Sequence, residues 1–125
     1  ILAVDRNEPG ENERRWYVRM QGDEKDFITV WLTLGQRTLR YETYVMPAPE
    51  EQHQQFYEQL LRRNEKHQGA YFSIGAEDAV YLRGELPLAA LDEAELDRVI
   101  GTVWAQVEQC FRPLLRIGFA SRFAG

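Results

Sequence analysis

The first half of the chain alternates apolar and polar positions with the period of two that is typical of β-strands. The segments Arg14 to Gln21, Asp26 to Leu34 and Arg37 to Met46 are short and rich in aromatic and β-branched residues. The turn-like strings Gln21-Gly22-Asp23 and Gly35-Gln36 join them. The pattern therefore predicts a meander of three antiparallel strands.

A helix and a hairpin are predicted next. The helix should begin near Pro49, because proline suits the first helical position and the acidic pair Glu50-Glu51 favours the positive end of the helix dipole. Its predicted apolar face consists of His53, Phe56, Tyr57, Leu60 and Leu61. Two strands follow, Ala70 to Ile74 and Ala79 to Leu86, and the loop Gly75-Ala76-Glu77-Asp78 has the length and composition of a hairpin turn.

The last third of the chain carries the clearest helical pattern. Asp92 and Glu95 have the spacing of a capping box, and Leu91 and Leu96 occupy the two positions of a hydrophobic staple. Apolar residues then recur at intervals of four and three, which is typical of a helix packed along one surface. This helix seam consists of Leu96, Ile100, Val103, Val107, Cys110, Leu114 and Ile117, widened by Val99, Trp104 and Phe111. Pro113 should either kink the helix or limit its regular stretch to the residues up to Arg112.

These elements predict an α+β fold in the order β-β-β-α-β-β-α, with helices on one face of an antiparallel sheet. Strand alternation separates the two faces of that sheet. The face assigned to the core holds Trp16, Val18, Met20, Ile28, Val30, Leu32, Leu39, Tyr41, Val45, Phe72, Ile74, Val80 and Leu82. The opposite face holds Tyr17, Arg19, Phe27, Thr29, Trp31, Arg40, Glu42, Tyr44, Tyr71, Tyr81 and Arg83.

This second face is the candidate binding surface. Four of the six tyrosines share it with one tryptophan and three arginines, and these residue types are enriched at the energetic centres of protein interfaces. The predicted protein-binding residues are Tyr17, Arg19, Trp31, Arg40, Tyr44, Tyr71, Tyr81 and Arg83. Either a second copy or a client peptide would suit the face. The alternative is that these side chains simply cover the solvent side of an antiparallel sheet.

Length and charge narrow the class of protein. The chain has 125 residues and a net charge of −5, which suits one globular domain over residues 1–125, with 1–13 as an extended N-terminal segment. An acidic domain without a basic block disfavours nucleic-acid binding. No apolar run approaches the roughly 18 residues that span a bilayer, so we expect a cytoplasmic protein with no membrane partner. Because the chain begins with Ile1, we expect that further sequence precedes it.

The residues suited to catalysis are few. Only two histidines are present, His53 and His67. Glu50 and His53 have the Glu-x-x-His spacing of di-iron bundles, but those sites need a second copy of the motif, so we expect no metal and no cofactor. Cys110 lies on the helix seam, where we expect a buried small apolar side chain rather than a nucleophile. A single cysteine also fits a reducing compartment.

Several strings resemble one family. They are Arg15-Trp16-Tyr17-Val18-Arg19, Phe27-Ile28-Thr29-Val30-Trp31, the run from Thr38 to Glu51, Phe56-Tyr57, the run from Leu60 to Asn64, Gly75 to Asp78, Gly84 to Leu88 and Phe119-Ala120-Ser121. Together they resemble the YbjN-like family in its actinobacterial form, whose label is sensory transduction regulator. The resemblance implies an α+β fold similar to type III secretion chaperones, which commonly dimerise and bind client segments. This chain departs from the chaperone pattern because no helix is recognisable before its first strands.

The sequence therefore predicts a non-enzymatic protein-interaction domain, chaperone-like or a regulatory adaptor, that binds a protein client or forms a homodimer. A nucleic-acid-binding regulator that stacks bases on Tyr17, Trp31 and Tyr71 is the alternative. The acidic charge and the lack of an RNA-recognition string of the Lys/Arg-Gly-Phe type oppose it. A small-ligand-binding enzyme is a second alternative, and it needs a polar pocket between helix and sheet that the sequence does not reveal.

Overall fold

One antiparallel sheet of six strands forms the centre of the described fold. The computed structural model describes residues 3–7, 14–66 and 69–123. The elements are β1 (Ala3–Asn7), β2 (Arg14–Gln21), β3 (Phe27–Leu34), β4 (Thr38–Met46), α1 (His53–Lys66), β5 (Tyr71–Ile74), β6 (Val80–Pro87), α2 (Glu93–Gly118) and α3 (Ala120–Phe123). The spatial order of the strands is β1-β2-β3-β4-β6-β5. The predicted α+β class with an antiparallel sheet is confirmed.

Strand β1 is an addition to the predicted element order. It pairs with β2 in antiparallel register, with Val4 opposite Val18. The segment Ala-Val-Asp-Arg-Asn is short and mostly polar, so it carries little of the alternation that marks the other strands. Its pairing with β2 supplies the hydrogen bonds that the local sequence pattern does not reveal. The remainder of the predicted N-terminal segment, residues 1–2 and 8–13, lies outside the described residues.

The predicted meander and hairpin are confirmed. Strands β2, β3 and β4 pair consecutively, and β5 pairs with β6 around a tight turn in which the Gly75 N–H donates to the Ala79 carbonyl at 2.9 Å. The pairing of β4 with β6 shifts register between Tyr44 and Met46. Such a bulge breaks the alternation, and both Val45 and Met46 are buried.

Helix α2 covers the sheet with the predicted seam. Its N-cap is Asp92, whose side chain accepts a hydrogen bond from the Glu95 N–H at 2.8 Å. The fully or nearly fully buried residues of the helix are Val99, Ile100, Val103, Gln106, Val107, Cys110, Leu114 and Gly118. The helix continues through Pro113 to Gly118, so of the two alternatives expected for Pro113, a regular stretch that stops at Arg112 is wrong. Pro113 is exposed while Leu114 is fully buried. Packing of the final turns of α2 against the core offsets the cost of the lost backbone hydrogen bond.

Helix α1 begins at His53, four residues later than predicted. The preceding N–H groups of Glu50 and Glu51 donate to the carbonyl of Gly118 at 2.9 and 3.1 Å, and Gln52 adopts a left-handed φ of 52°. The acidic pair therefore docks on the end of α2 and lies before the first turn of α1. This tertiary contact is what overrides the local start signal at Pro49.

Two apolar residues that the pattern assigns to the core are exposed. Leu61 on α1 is 70% exposed and Ile74 on the edge strand β5 is 52% exposed. His53 is exposed as well, so α1 buries mainly Phe56 and Leu60. The reason is position, because β5 is the last strand of the sheet and nothing on its outer side covers these side chains among the described residues. They flank an apolar groove of about 300 Å³.

Across residues 3–7, 14–66 and 69–123, no helix has the length and apolar character that crossing a membrane requires.

Candidate functional site

The sheet face opposite the helices, called the open face here, carries aromatic and charged side chains in ordered rows. Cross-strand pairing places Tyr17 beside Trp31, Trp31 beside Glu42, Glu42 beside Arg83, and Arg83 beside Tyr71. Paired residues on adjacent strands have Cβ atoms about 5 Å apart. These five residues form a central row that runs across β2, β3, β4, β6 and β5.

Stacking and ion pairing hold the β2 side of the central row. The rings of Tyr17 and Trp31 lie 5.1 Å apart between centroids, at an interplanar angle of 56°. The guanidinium of Arg15 lies over the Trp31 ring, 4.1 Å from its centroid, and its Nη2 is 3.6 Å from the Glu42 carboxylate. The indole is therefore held between a second ring and a cation, an arrangement that restricts its rotation.

Arg83 organises the other half of the open face. Its Nε donates to the Glu42 carboxylate at 2.8 Å, and its Nη1 donates to the Ser73 hydroxyl at 3.2 Å. Its guanidinium also lies 4.6 Å from the centroid of the Tyr81 ring. Tyr81 meets Tyr44 edge to face, with centroids 5.8 Å apart, and burial is the main cause that raises the pKa of Tyr44. Because Arg83 contacts both Glu42 and Tyr81, it links the Glu42 carboxylate and the Tyr44–Tyr81 pair into one connected surface.

All eight predicted binding residues lie on strands of this face, but they do not form one continuous cluster in the contacts described. Arg19 lies at the hairpin end of β2, where its guanidinium is 5.6 Å from the Phe27 ring centroid and its Nε donates weakly to Thr29. Tyr71 is 52% exposed at the opposite edge. The role of all eight residues in binding stays a prediction.

The charged residues Arg15, Glu42 and Glu85 contribute to this surface but are missing from the eight predicted residues. Arg15 has the same strand parity as Tyr17 and Arg19, so alternation alone could have included it. Glu42 shares the parity of Tyr44, but its position between two arginines depends on pairing across three strands. That pairing cannot be read from any single strand.

A hollow of about 510 Å³ lies beside the central row. It is lined by Arg15, Thr33, Arg40, Tyr41, Glu42, Tyr71, Arg83, Gly84 and Glu85. Register places Arg15, Thr33, Arg40 and Glu85 in one row across β2, β3, β4 and β6. Its volume is in the range of small-ligand and side-chain pockets.

Gly84 is required where the hollow meets the core. A Cβ atom there would lie 2.2 Å from the Gly69 carbonyl oxygen and 2.4 Å from the Tyr41 ring. Tyr41 is held in that position because its hydroxyl donates to the same Gly69 carbonyl. The absence of a side chain at Gly84 thus allows the Tyr41 ring and the Gly69 backbone to close against the sheet.

Two of the residues considered for catalysis, Cys110 and Glu50, have other roles in the structure. Cys110 is fully buried in the core, as expected. This burial raises the pKa of its thiol to about 12 and leaves it protonated at neutral pH. Glu50 pairs with Arg122, and His67 lies outside the described residues. Among the residues that the structure does describe, no group of three or more His, Cys, Asp or Glu side chains is arranged to hold a metal ion.

Comparison with known proteins confirms the family resemblance. Residues 3–116 match the profile of the YbjN family, described as "Putative bacterial sensory transduction regulator". An uncharacterized protein of Mycobacterium tuberculosis is 34% identical over 113 residues, which are 90% of this chain and 62% of the relative. An uncharacterized protein of Mycobacterium leprae is 33% identical over 107 residues, or 86% of this chain and 58% of the relative. The chain therefore spans about three fifths of the length of these curated relatives.

Proposed function

The chain belongs to the YbjN family, and from that premise we propose that its open face binds a client protein segment, in the manner of a chaperone or a regulatory adaptor. The observation that carries the proposal is the central row, in which aromatic rings and charged groups cross five strands on the side away from α2. The family description is that of a regulator. A regulator that catalyses no reaction must act by binding another molecule.

Preorganisation supports this proposal. A flexible side chain loses rotational freedom when a partner binds, and that loss weakens affinity. Trp31 is already held between Tyr17 and Arg15, and Tyr81 between Tyr44 and Arg83. Large rings fixed in this way bury apolar area at a low entropic cost, as the centres of protein interfaces do.

The space between helix and sheet favours binding over the enzyme alternative. The cavity beside Tyr41, Val99 and Thr102, where α2 meets the sheet, measures about 10 Å³. That volume holds about one water molecule, so this cavity cannot accept a substrate. The larger hollow lies on the open face, where a protein segment would also lie.

Truncating the aromatic centre tests the proposal. The double variant Trp31→Ala with Tyr44→Ala should weaken client binding or self-association by about 2 kcal/mol or more, roughly 30-fold, because hot-spot rings contribute on that scale. Light scattering and sedimentation measure the mass of the particle and hence self-association. Recovery of bound protein after gentle lysis measures client binding, and thermal melts check that the variant is folded.

Leu61→Ala is the matched control. It removes a large exposed apolar side chain on α1, outside the open face, so it should leave association unchanged. If the double variant keeps the wild-type mass and client recovery with an intact fold, the open face is a solvent surface and the proposal is wrong.

The nucleic-acid alternative predicts a different result. The Tyr17–Trp31 pair resembles a base-stacking platform, but the chain carries a net charge of −5. We expect no saturable sub-micromolar binding of a single-stranded oligonucleotide at about 0.15 M salt, because phosphate contacts weaken steeply with salt. Fluorescence titration checks this, and tight binding that Trp31→Ala abolishes would reverse the order of the two functions.

A further inference from the structure

Strand β5 forms an edge of the sheet that is flanked by exposed apolar side chains. Among the described residues, no strand pairs with its outer side. Apart from being short, β5 lacks the usual protection of an edge strand, because its sequence Tyr-Phe-Ser-Ile holds no charged residue and no proline. Leu61 and Ile74 beside it are largely exposed. An edge of this kind is a template for pairing with another chain.

Asn64 on α1 supplies protection from outside the strand. Its Oδ1 accepts a hydrogen bond from the Phe72 N–H at 2.6 Å, and its Nδ2 donates to the Phe72 carbonyl at 3.2 Å. One acceptor and one donor are what a residue of a neighbouring antiparallel strand would offer at this position. The side-chain amide of Asn64, called the edge cap here, therefore stands where an added strand would bond.

The alternation of the ladder shows how much of the edge remains. In an antiparallel pair, the backbone groups of successive residues point to opposite sides of the strand. Because the groups of Phe72 point outward to Asn64, those of Ser73 point inward to β6 and those of Ile74 point outward again. Within β5, the edge cap thus leaves only Ile74 with outward-pointing groups, which is too short a run for a strand pair.

We propose that β5 is a self-pairing surface that Asn64 keeps closed, so that loss of the edge cap lets the β5 edges of two copies pair in antiparallel register. Both copies present the same edge, and antiparallel pairing about a two-fold axis is self-complementary. The apolar groove of about 300 Å³ beside Leu61 and Ile74 adds apolar area to this contact. The inference goes beyond the proposed function, because edge pairing uses the backbone of β5 and not the rings of the open face.

Hydrogen exchange tests the edge cap in the wild-type protein. The Phe72 N–H should be protected, and its protection should not change with protein concentration, because its acceptor lies in the same chain. NMR or mass spectrometry measures the exchange. Unprotected exchange would mean that Asn64 does not hold the edge. Protection that rises with concentration would mean that two copies already pair there, and either result overturns the proposal.

Asn64→Ala tests the consequence. It removes both hydrogen bonds, and we expect a particle of about twice the wild-type mass or more by sedimentation at the same concentration. Gln55→Ala is the matched control, because it removes an amide from an exposed position of the same helix and should leave the mass unchanged. An Asn64→Ala protein with the wild-type mass and an intact fold would show that the amide does not keep the edge closed.

Asn64→Asp separates the edge cap from a simple tether between α1 and β5. The carboxylate keeps an acceptor for the Phe72 N–H, loses the donor to the Phe72 carbonyl, and places a charge at the edge, where charge opposes pairing. This variant should melt at a lower temperature than wild type but keep the wild-type mass. If Asn64→Asp and Asn64→Ala self-associate equally, association follows lost stability and the proposal is wrong.

Two combined variants locate the new contact. Adding Ile74→Lys to Asn64→Ala places a charge at an exposed edge position and should restore the wild-type mass, as edge lysines do in natural sheets. Adding Trp31→Ala and Tyr44→Ala to Asn64→Ala should leave the larger mass in place. If the open-face changes abolish the larger mass and Ile74→Lys does not, the copies associate through the open face, so the edge proposal is wrong and the proposed function stands.

Discussion

Replacing Val107 by Asp should unfold the protein. Val107 is fully buried in the middle of α2, where it belongs to the core cluster between the helix and the sheet. A carboxylate there would lose its hydration without gaining a partner, or would have to be protonated, and either costs several kcal/mol. That cost is comparable with the roughly 5–15 kcal/mol of stability of a typical domain.

Thermal unfolding followed by circular dichroism, together with the soluble yield, measures this effect. Gln109→Asp is the control, because it adds a carboxylate to an exposed position of the same helix and should change stability by no more than about 0.5 kcal/mol. Ile100→Asp should behave like Val107→Asp, since Ile100 is also buried on the seam. A wild-type melting temperature for either seam variant would mean that this side of α2 is not core.

Local sequence patterns were sufficient to predict the elements whose structure depends mainly on interactions within the segment itself. Strand β2 has the predicted bounds, and β3 and β4 begin within one residue of theirs. Helix α2 begins where Asp92 caps it, because the capping hydrogen bond involves only residues three positions apart. In these elements the pattern of apolar positions and the short-range hydrogen bonds favour the same conformation.

The misassigned positions all depend on distant regions of the chain. The start of α1 is delayed because the N–H groups of Glu50 and Glu51 find the Gly118 carbonyl, a partner almost seventy residues away. Strand β1 forms by pairing with β2. Leu61 is exposed because β5 ends the sheet beside α1. A periodic pattern shows which residues could be buried, whereas the order of the strands decides which of them are.

Features of the candidate site also divide into those set by the local sequence pattern and those set by pairing between distant strands. Alternation placed Tyr17, Trp31 and Arg83 on one face, because parity within a strand is a local property. The central row and the hollow required the pairing of β4 with β6, two strands separated by α1 and β5 along the chain. The sequence therefore predicted most of the side chains that share the surface but not Arg15 or Glu85, and only the register revealed that Glu42 lies between Arg15 and Arg83.

Gly84→Ala should destabilise the protein and distort the hollow at the same time. The added Cβ would lie 2.2 Å from the Gly69 carbonyl oxygen and 2.4 and 2.6 Å from two atoms of the Tyr41 ring. Neither neighbour can yield easily, since one is backbone and the other is a buried ring whose hydroxyl donates to that same backbone. Overpacking of this kind costs about 1–3 kcal/mol or more, which corresponds to a loss of several degrees in melting temperature.

Gly101→Ala makes the same substitution where a Cβ has nothing within 4 Å. Because Gly101 lies inside α2, alanine should raise stability there by up to about 1 kcal/mol, through its higher helix propensity. Gly84→Ala should therefore lower the melting temperature and Gly101→Ala should raise it, although both variants replace glycine by alanine. Thermal unfolding followed by circular dichroism measures both shifts, and an unchanged or raised melting temperature in Gly84→Ala would show that the fold does not depend on this close packing.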